Sequence, residues 1–333
     1  MDDLEVWFDK GVTDGLPVIP PSRERVERML GGTTRDRQEL VGEVAPNYGR
    51  ATVEKVAVNA VMAGCRPEYL PVVLAAVQAV TDPAFNLHGV ATSTHFSAPL
   101  IVVHGPIRER IALNCSFGVF GPGHRANATI GRAVRLVMIN LGGAKAGETS
   151  MSTFGHPGRY TYVMAENEAE SPWTPLHVER IGCRPTDSAV TVMAALAPIQ
   201  FYNQLSSTAA GVLGTLCDTL RYPGQIGQPN YCVVLAGEHM RTIAADGWSK
   251  AEIRKFIFEN STNTVAHFKR TARMPGAVKP EDETANRPIV QSPDDILVVA
   301  AGGRAGSFSC FIPGWASRTS SEAVTVVIKE RSA

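Results

Sequence analysis

Short apolar runs, rich in β-branched residues and each closed by a polar or glycine turn, constrain the fold of this chain most. Pro99-Leu-Ile-Val-Val-His104 and the runs over 231–236 and 296–301 share that form. A run of this length without alternation reads as a strand covered on both faces. After Cys183-Arg184-Pro185 such runs alternate with helical patterns. Strands are expected over 189–195, 231–236, 296–301 and 323–329. Helices are expected over 206–220, 239–245 and 249–260, the last opened by the capping box Ser249-Lys-Ala-Glu252. The pattern predicts an α/β fold. We expect two α/β lobes, 1–184 and 185–333, with mostly parallel or mixed sheets and a ligand cleft at the carboxyl ends of the strands.

Earlier in the chain, a Pro-rich turn at Leu16-Pro-Val-Ile-Pro-Pro precedes a helix over 22–30, whose capping box is imperfect because Arg25 stands at N3. Thr52 caps a helix through Met62, Gly64 stops it, and Pro67 opens another to about Val80. A further strand is expected over 160–165. The Pro- and charge-rich stretch 273–294 reads as a long surface loop or lid.

A glycine-rich loop, Gly118-Val-Phe-Gly-Pro-Gly-His124, runs into an amphipathic helix that ends at Gly142-Gly143. Ile130, Val134, Val137, Met138 and Leu141 recur on one face, with Arg125, Thr129, Arg132 and Arg135 opposite. A helix start with unsatisfied N–H groups beside glycines and an arginine suits an anion. Gly121, Gly123, His124, Arg125 and Asn127 are therefore candidate ligands for a carboxylate or phosphate. Lys55 and Asn59 share a face of the 52–62 helix and join that list, with Lys55 an anion ligand or a base of shifted pKa if the face is buried, and a solvent-facing stripe as the alternative.

Were the strands parallel neighbours, their carboxyl ends would gather His104, the Glu238–His239 pair, and the loop Gly302-Gly303-Arg304. His239 oriented by Glu238, or His104, is then a candidate general acid/base. Cys310 beyond the glycine turn and Cys65 beside Arg66 are candidate nucleophiles. Cys115, Cys183, Cys217 and Cys232 read as inert. Ser307 and Ser309 are alternative nucleophiles, although no G-x-S-x-G elbow is present. His156, Glu166 and His177 have the residue types of a two-histidine, one-carboxylate transition-metal site, at spacings that match no ligand motif.

Gly121-Pro-Gly-His-Arg-Ala126 fits the form of a dinucleotide loop, but neither the preceding strand nor the following acidic residue is in place. No Walker loop occurs. Lys plus Arg (32) balance Asp plus Glu (32), so nothing favours nucleic acid or an anionic membrane surface. No apolar run reaches the length of a membrane span. The start Met-Asp-Asp-Leu-Glu-Val-Trp lacks the basic region of a signal peptide, and the six cysteines are scattered, so a cytoplasmic protein is expected.

The segments 52–80, 123–133 and 160–180 resemble a poorly characterised bacterial family of UGSC or thiol-disulfide oxidoreductase-like proteins, across most of the chain. The resemblance implies a bacterial metabolic protein. The motif that gives the family its name, Cys or selenocysteine followed by Gly-Ser-Cys, is absent here, so no catalytic residue is carried over. We therefore expect an enzyme that hydrolyses or eliminates at a carbon–heteroatom bond of a small anionic metabolite. A thiol-based oxidoreductase and a non-catalytic ligand-binding subunit are the alternatives. A transition metal is the one cofactor the residues suggest, and a homo-oligomer or a partner subunit is expected.

Overall fold

The computed structural model describes residues 5–221, 230–316 and 320–329. They form two compact units: Met1–Glu166 with Pro175–Ala197 and Glu322–Ala333, and Asn167–Thr174 with Pro198–Ser321. In the first unit the helices are α1 (Glu5–Asp9), α2 (Arg23–Leu30), α3 (Val53–Ala63), α4 (Leu70–Val80), α5 (Leu87–Thr92), α6 (Ile107–Arg110), α7 (Arg125–Asn140) and α8 (Leu176–Ile181). Its strands are β1 (Leu40–Val44), β2 (Gly49–Thr52), β3 (Ala98–His104), β4 (Val163–Ala165) and β5 (Ala189–Ala195), with β12 (Val324–Val327) arriving from the far end of the chain. The second unit holds β6 (Ile199–Tyr202), α9 (Ala209–Leu220), β7 (Tyr231–Leu235), α10 (Gly237–Ala245), α11 (Lys250–Asn260) and β8 (Thr262–Thr264). It continues with α12 (Val265–Arg270), β9 (Asn286–Pro288), β10 (Ile296–Ala300) and β11 (Phe308–Ile312).

Local chemistry sets many of these ends. The Thr52 hydroxyl accepts from Lys55 N to start α3, and Gly64 closes it in the left-handed conformation with φ 91°. Ser249 and Glu252 complete the capping box of α11. Ser22 accepts from Arg25 N without a reciprocal bond, as the imperfect box requires. Pro67 starts a 3₁₀ turn that leads into α4, and ten of that helix's eleven side chains are buried.

The first unit's main sheet has the order β12-β5-β3-β4. β3 and β4 are parallel, while β3–β5 and β5–β12 are antiparallel. The boundary expected after Arg184 therefore falls after Ala197: β5 pairs along the whole of β3, from Ala98↔Ala195 to His104↔Ala189. Helix α7 lies close to the segment that leads into β4. A Cβ on Gly131 would stand 2.5 Å from Thr161 Oγ1 and 2.9 Å from Tyr162 N, so only glycine allows this approach.

The second unit's sheet has the order β10-β7-β11-β6. β10 and β7 are parallel, and β11 runs antiparallel to both β7 and β6. Helices α9 to α12 bury Leu213, Leu216, Ile253 and Phe268 with Val233 and Phe311 of the sheet. Both sheets are mixed, and the chain is α/β. The stretch expected as a loop or lid instead contains β9, paired antiparallel with β8. It is held to α12 by the Lys269–Asp282 and Arg270–Glu283 ion pairs. No single helix among the described residues is long and apolar enough to cross a membrane.

Candidate functional site

A cavity of about 810 Å³ in the first unit is lined by α7, by the loop that follows it, and by Gly11, Thr13 and Asp14. That size lies in the range of small-molecule sites. Arg135 on α7, then Lys145 and Arg159 on the loop, bring three cations to its wall. The Arg135 guanidinium donates to Ala144 O at 3.0 Å, and Arg159 donates to Ser150 Oγ at 2.7 Å. Neither guanidinium makes an ion pair among the described residues. Burial, with repulsion from Arg159 added, lowers Arg135 to about 10. Burial also lowers Arg159. Two carboxylates share the lining. The Asp14 carboxylate is buried and gripped by Arg132 through two 2.8 Å bonds, while Glu148 is exposed. The cavity is therefore net positive and its cations are half-buried, a condition that suits a small anion.

His156 is part of the same wall. Its Nδ1 accepts from Gly158 N at 3.2 Å, which assigns the ring proton to Nε2. Nε2 is buried and has no hydrogen-bond partner. The ring sits edge-on to Phe96 and Tyr162, with centroids 5.6 and 5.5 Å away. Burial first, then Arg159, pushes its pKa down to about 4. At neutral pH it is an uncharged N–H donor.

The metal trio expected from sequence is redrawn. Glu166 and His177 do meet, but their partner is His104, whereas His156 belongs to the cavity. The register explains this. Parallel pairing of Val103 with Ala165 sets His104 and Glu166 side by side at the ends of β3 and β4. Four side chains then form a polar row across the sheet. Glu166 Oε2 lies 2.8 Å from His104 Nδ1, His104 Nε2 lies 2.9 Å from Thr191 Oγ1, and Thr191 Oγ1 lies 3.0 Å from Thr325 Oγ1. Helix α8 lies over the row. Its Arg180 donates to Thr325 Oγ1 at 2.9 Å, and its His177 stacks on His104 with centroids 5.1 Å apart. Glu166 Oε2 also accepts from Leu176 N at the start of α8, at 2.9 Å. His104, Glu166 and His177 are all 0% exposed. Neither ring nitrogen of His177 meets hydrogen-bond geometry with a partner. Burial, then His104, pushes its pKa down to about 4 against the weaker pull of Glu166 and the Asp187 backbone.

The helix-start residues do other work than expected. Arg125 donates twice to Gly64 O, at 2.9 and 3.0 Å, which ties α7 to the end of α3. With Arg25 and Arg28 it lines a smaller cleft of about 220 Å³. Buried Asn127 is an internal strut: its amide bridges the backbone of Asn114 and the Val163 carbonyl. Gly121, Gly123 and His124 are exposed, and a Cβ at Gly123 would touch nothing. Lys55 is exposed and donates to Arg50 O. Asn59 is buried and bonded to Lys55 O and Asn140.

The three strand ends do not share a sheet, because β3 belongs to the first unit and β7 and β10 to the second. In the second unit Glu238 and His239 diverge. Glu238 binds Gly306 N and Ser307 Oγ, which lowers its pKa. His239 is 1% exposed, with Nδ1 on Ser309 Oγ at 2.9 Å and Nε2 on Asn203 O at 3.2 Å. Ser309 also accepts from Ala236 N, so the pair joins α10, β6 and β11. The turns after β7 and β10 pack backbone to backbone, with Gly237 N donating to Gly303 O and Gly302 against Ala236. Arg304 is paired with Glu170.

Both candidate thiols are held neutral. Cys65 is buried, donates to Thr129 O at 3.3 Å, and is pushed up to about 12 by that burial, against the expected lowering by its neighbours. Burial likewise pushes Cys310 up to about 12, and the neighbouring His239 serves Ser309 instead. Sequence reasoning passed over Lys145 and Thr191, and it assigned Arg135 only to the polar face of a helix. The signal at Thr191 was a lone hydroxyl in the otherwise apolar strand Ala189–Ala195. Comparison with protein-family models, with curated proteins and with solved structures finds no match.

Proposed function

We propose that this protein is an enzyme acting on a small anionic metabolite, held in the cavity beside Arg135, Lys145 and Arg159. The observation that carries this reading is the surplus of half-buried positive charge there. Two guanidiniums with no ion-pair partner among the described residues share one wall, while the buried carboxylate of the lining is committed to Arg132. A carboxylate or phosphate entering the cavity would meet charges already stripped of much of their water, so its binding gains from preorganisation.

The reaction class we assign is hydrolysis or elimination at a carbon–heteroatom bond. Negative charge develops on oxygen in such reactions, and the neutral His156, which lines the cavity, carries an Nε2–H with no protein partner that a rotation of the ring would present to it. Thiol chemistry fits less well, because Cys65 is buried, Cys310 is half-buried, and both thiols are held protonated.

Two measurements test the reading. Inorganic phosphate and malonate are expected to raise the melting temperature of the wild type, and the double variant Arg135→Met/Arg159→Met to lose that response. A screen of small phosphoesters and carboxylate esters is expected to show turnover that His156→Phe lowers about 100- to 1000-fold, the scale of a lost oxyanion donor. Equal stabilisation of the double variant, or full turnover by His156→Phe, would overturn the assignment.

A further inference from the structure

We infer that His104, Glu166 and His177 form a binding site for one divalent transition-metal ion, separate from the proposed anion site. Two independent observations point there. The first is proximity: each residue offers a ligand atom, and these atoms lie within 4.8 Å of one another. Ligands at about 2.0–2.2 Å from one ion are at most about 4.4 Å apart, so modest side-chain rotation closes the site. The second is His177 itself. It is wholly buried, stacked on His104, and neither ring nitrogen meets hydrogen-bond geometry. The Asp187 backbone approaches the ring but falls outside hydrogen-bond geometry, and buried polar groups are nearly always bonded, so an imidazole held this way has room for a ligand that is not a protein atom.

The hydroxyl row explains how His104 can serve such an ion. In the metal-free arrangement Nδ1–H donates to Glu166, Nε2 accepts from Thr191, Thr191 accepts from Thr325, and Thr325 accepts from Arg180. To ligate a metal, Nδ1 must lose that proton and Nε2–H must donate outward. Thr191 and Thr325 permit this, because each hydroxyl can donate or accept. Thr191 then accepts from Nε2–H and donates to Thr325, whose oxygen takes both that bond and the one from Arg180. The switch needs only the two hydroxyl hydrogens to turn. The result is a histidine ligand oriented by an outer acceptor, as metal-binding histidines usually are. Two imidazoles and one carboxylate suit zinc, cobalt or iron in the divalent state over calcium or magnesium.

The test uses the full-length protein, treated with chelator, dialysed and titrated with Co(II) and with Zn(II). The wild type is expected to take up about one ion per chain, with the intense visible bands of four- or five-coordinate Co(II). His177→Phe keeps the stacked ring and removes both nitrogens; it should abolish uptake. Thr191→Val should weaken binding about 10- to 100-fold, the usual effect of losing an outer-shell partner. Arg135→Met/Arg159→Met should bind Co(II) like the wild type, which separates this site from the anion cavity. Failure of the folded wild type to take up either ion would overturn the inference and leave an ordered water as the partner of His177. Undiminished affinity in His177→Phe would overturn it too.

Discussion

Asn127→Leu distinguishes an internal strut from an anion ligand. The side-chain amide accepts from Asn114 N at 2.8 Å and donates to Asn114 O at 3.0 Å and Val163 O at 3.3 Å. Leucine has a similar volume and can make none of these bonds. The Asn114 N–H is then left buried without a partner, which costs roughly 1–3 kcal/mol. Asn114 O keeps its bond from Ala165 N, so the carbonyl side adds only about 1 kcal/mol. A loss of about 2–4 kcal/mol corresponds to a fall in melting temperature of roughly 5–15 °C for a unit of this size. Asn127→Asp should also destabilise, because it keeps an acceptor for Asn114 N but turns a second oxygen toward two carbonyls. Urea and thermal unfolding measure the loss, and calorimetry with inorganic phosphate measures the anion affinity. The expected result is a large drop in stability with phosphate affinity unchanged. A shift below about 2 °C, together with lost phosphate binding, would refute the reasoning and restore Asn127 as a ligand.

Two further outcomes follow from buried titratable groups. His156 has a folded-state pKa of about 4 against an ordinary 6.5, so between these values only the unfolded chain takes up the proton. Stability should therefore be unaffected by this group above pH 6.5 and fall as pH drops from 6.5 toward 4, by at most about 1.4 kcal/mol per pH unit before discounting for partial exposure. Melting curves at pH 7 and 4.5 should show a smaller loss for His156→Phe than for the wild type, and equal losses would count against the assignment. Cys65 and Cys310, both pushed up to about 12, should resist iodoacetamide at pH 8 in the native protein and react after denaturation. Peptide mapping that finds either one modified quickly in the native state would disprove their inertness.

Features governed by neighbours along the chain were legible from the sequence. The capping box at Ser249 and Glu252, the stop at Gly64 and the apolar strand Ala189–Ala195 depend on groups a few residues apart, and their chemistry has few alternatives. The same local reading placed charge on one face of α7 and reactive types in the stretch around His156, Glu166 and His177. It could not say which of these residues meet. β11 runs between β6 and β7, and β12 returns to β5 from the far end of the chain, so the sheets are mixed and the three strand ends are divided between units. His104 meets Glu166 across 62 positions because a parallel register aligns Val103 with Ala165. Arg125 is spent on the Gly64 carbonyl, while Arg135, three turns further along the same helix, reaches the cavity. Periodicity and capping are short-range energies that the sequence by itself determines. Strand order, register and the burial of a particular charge depend on contacts between distant segments, and only the tertiary structure decides them.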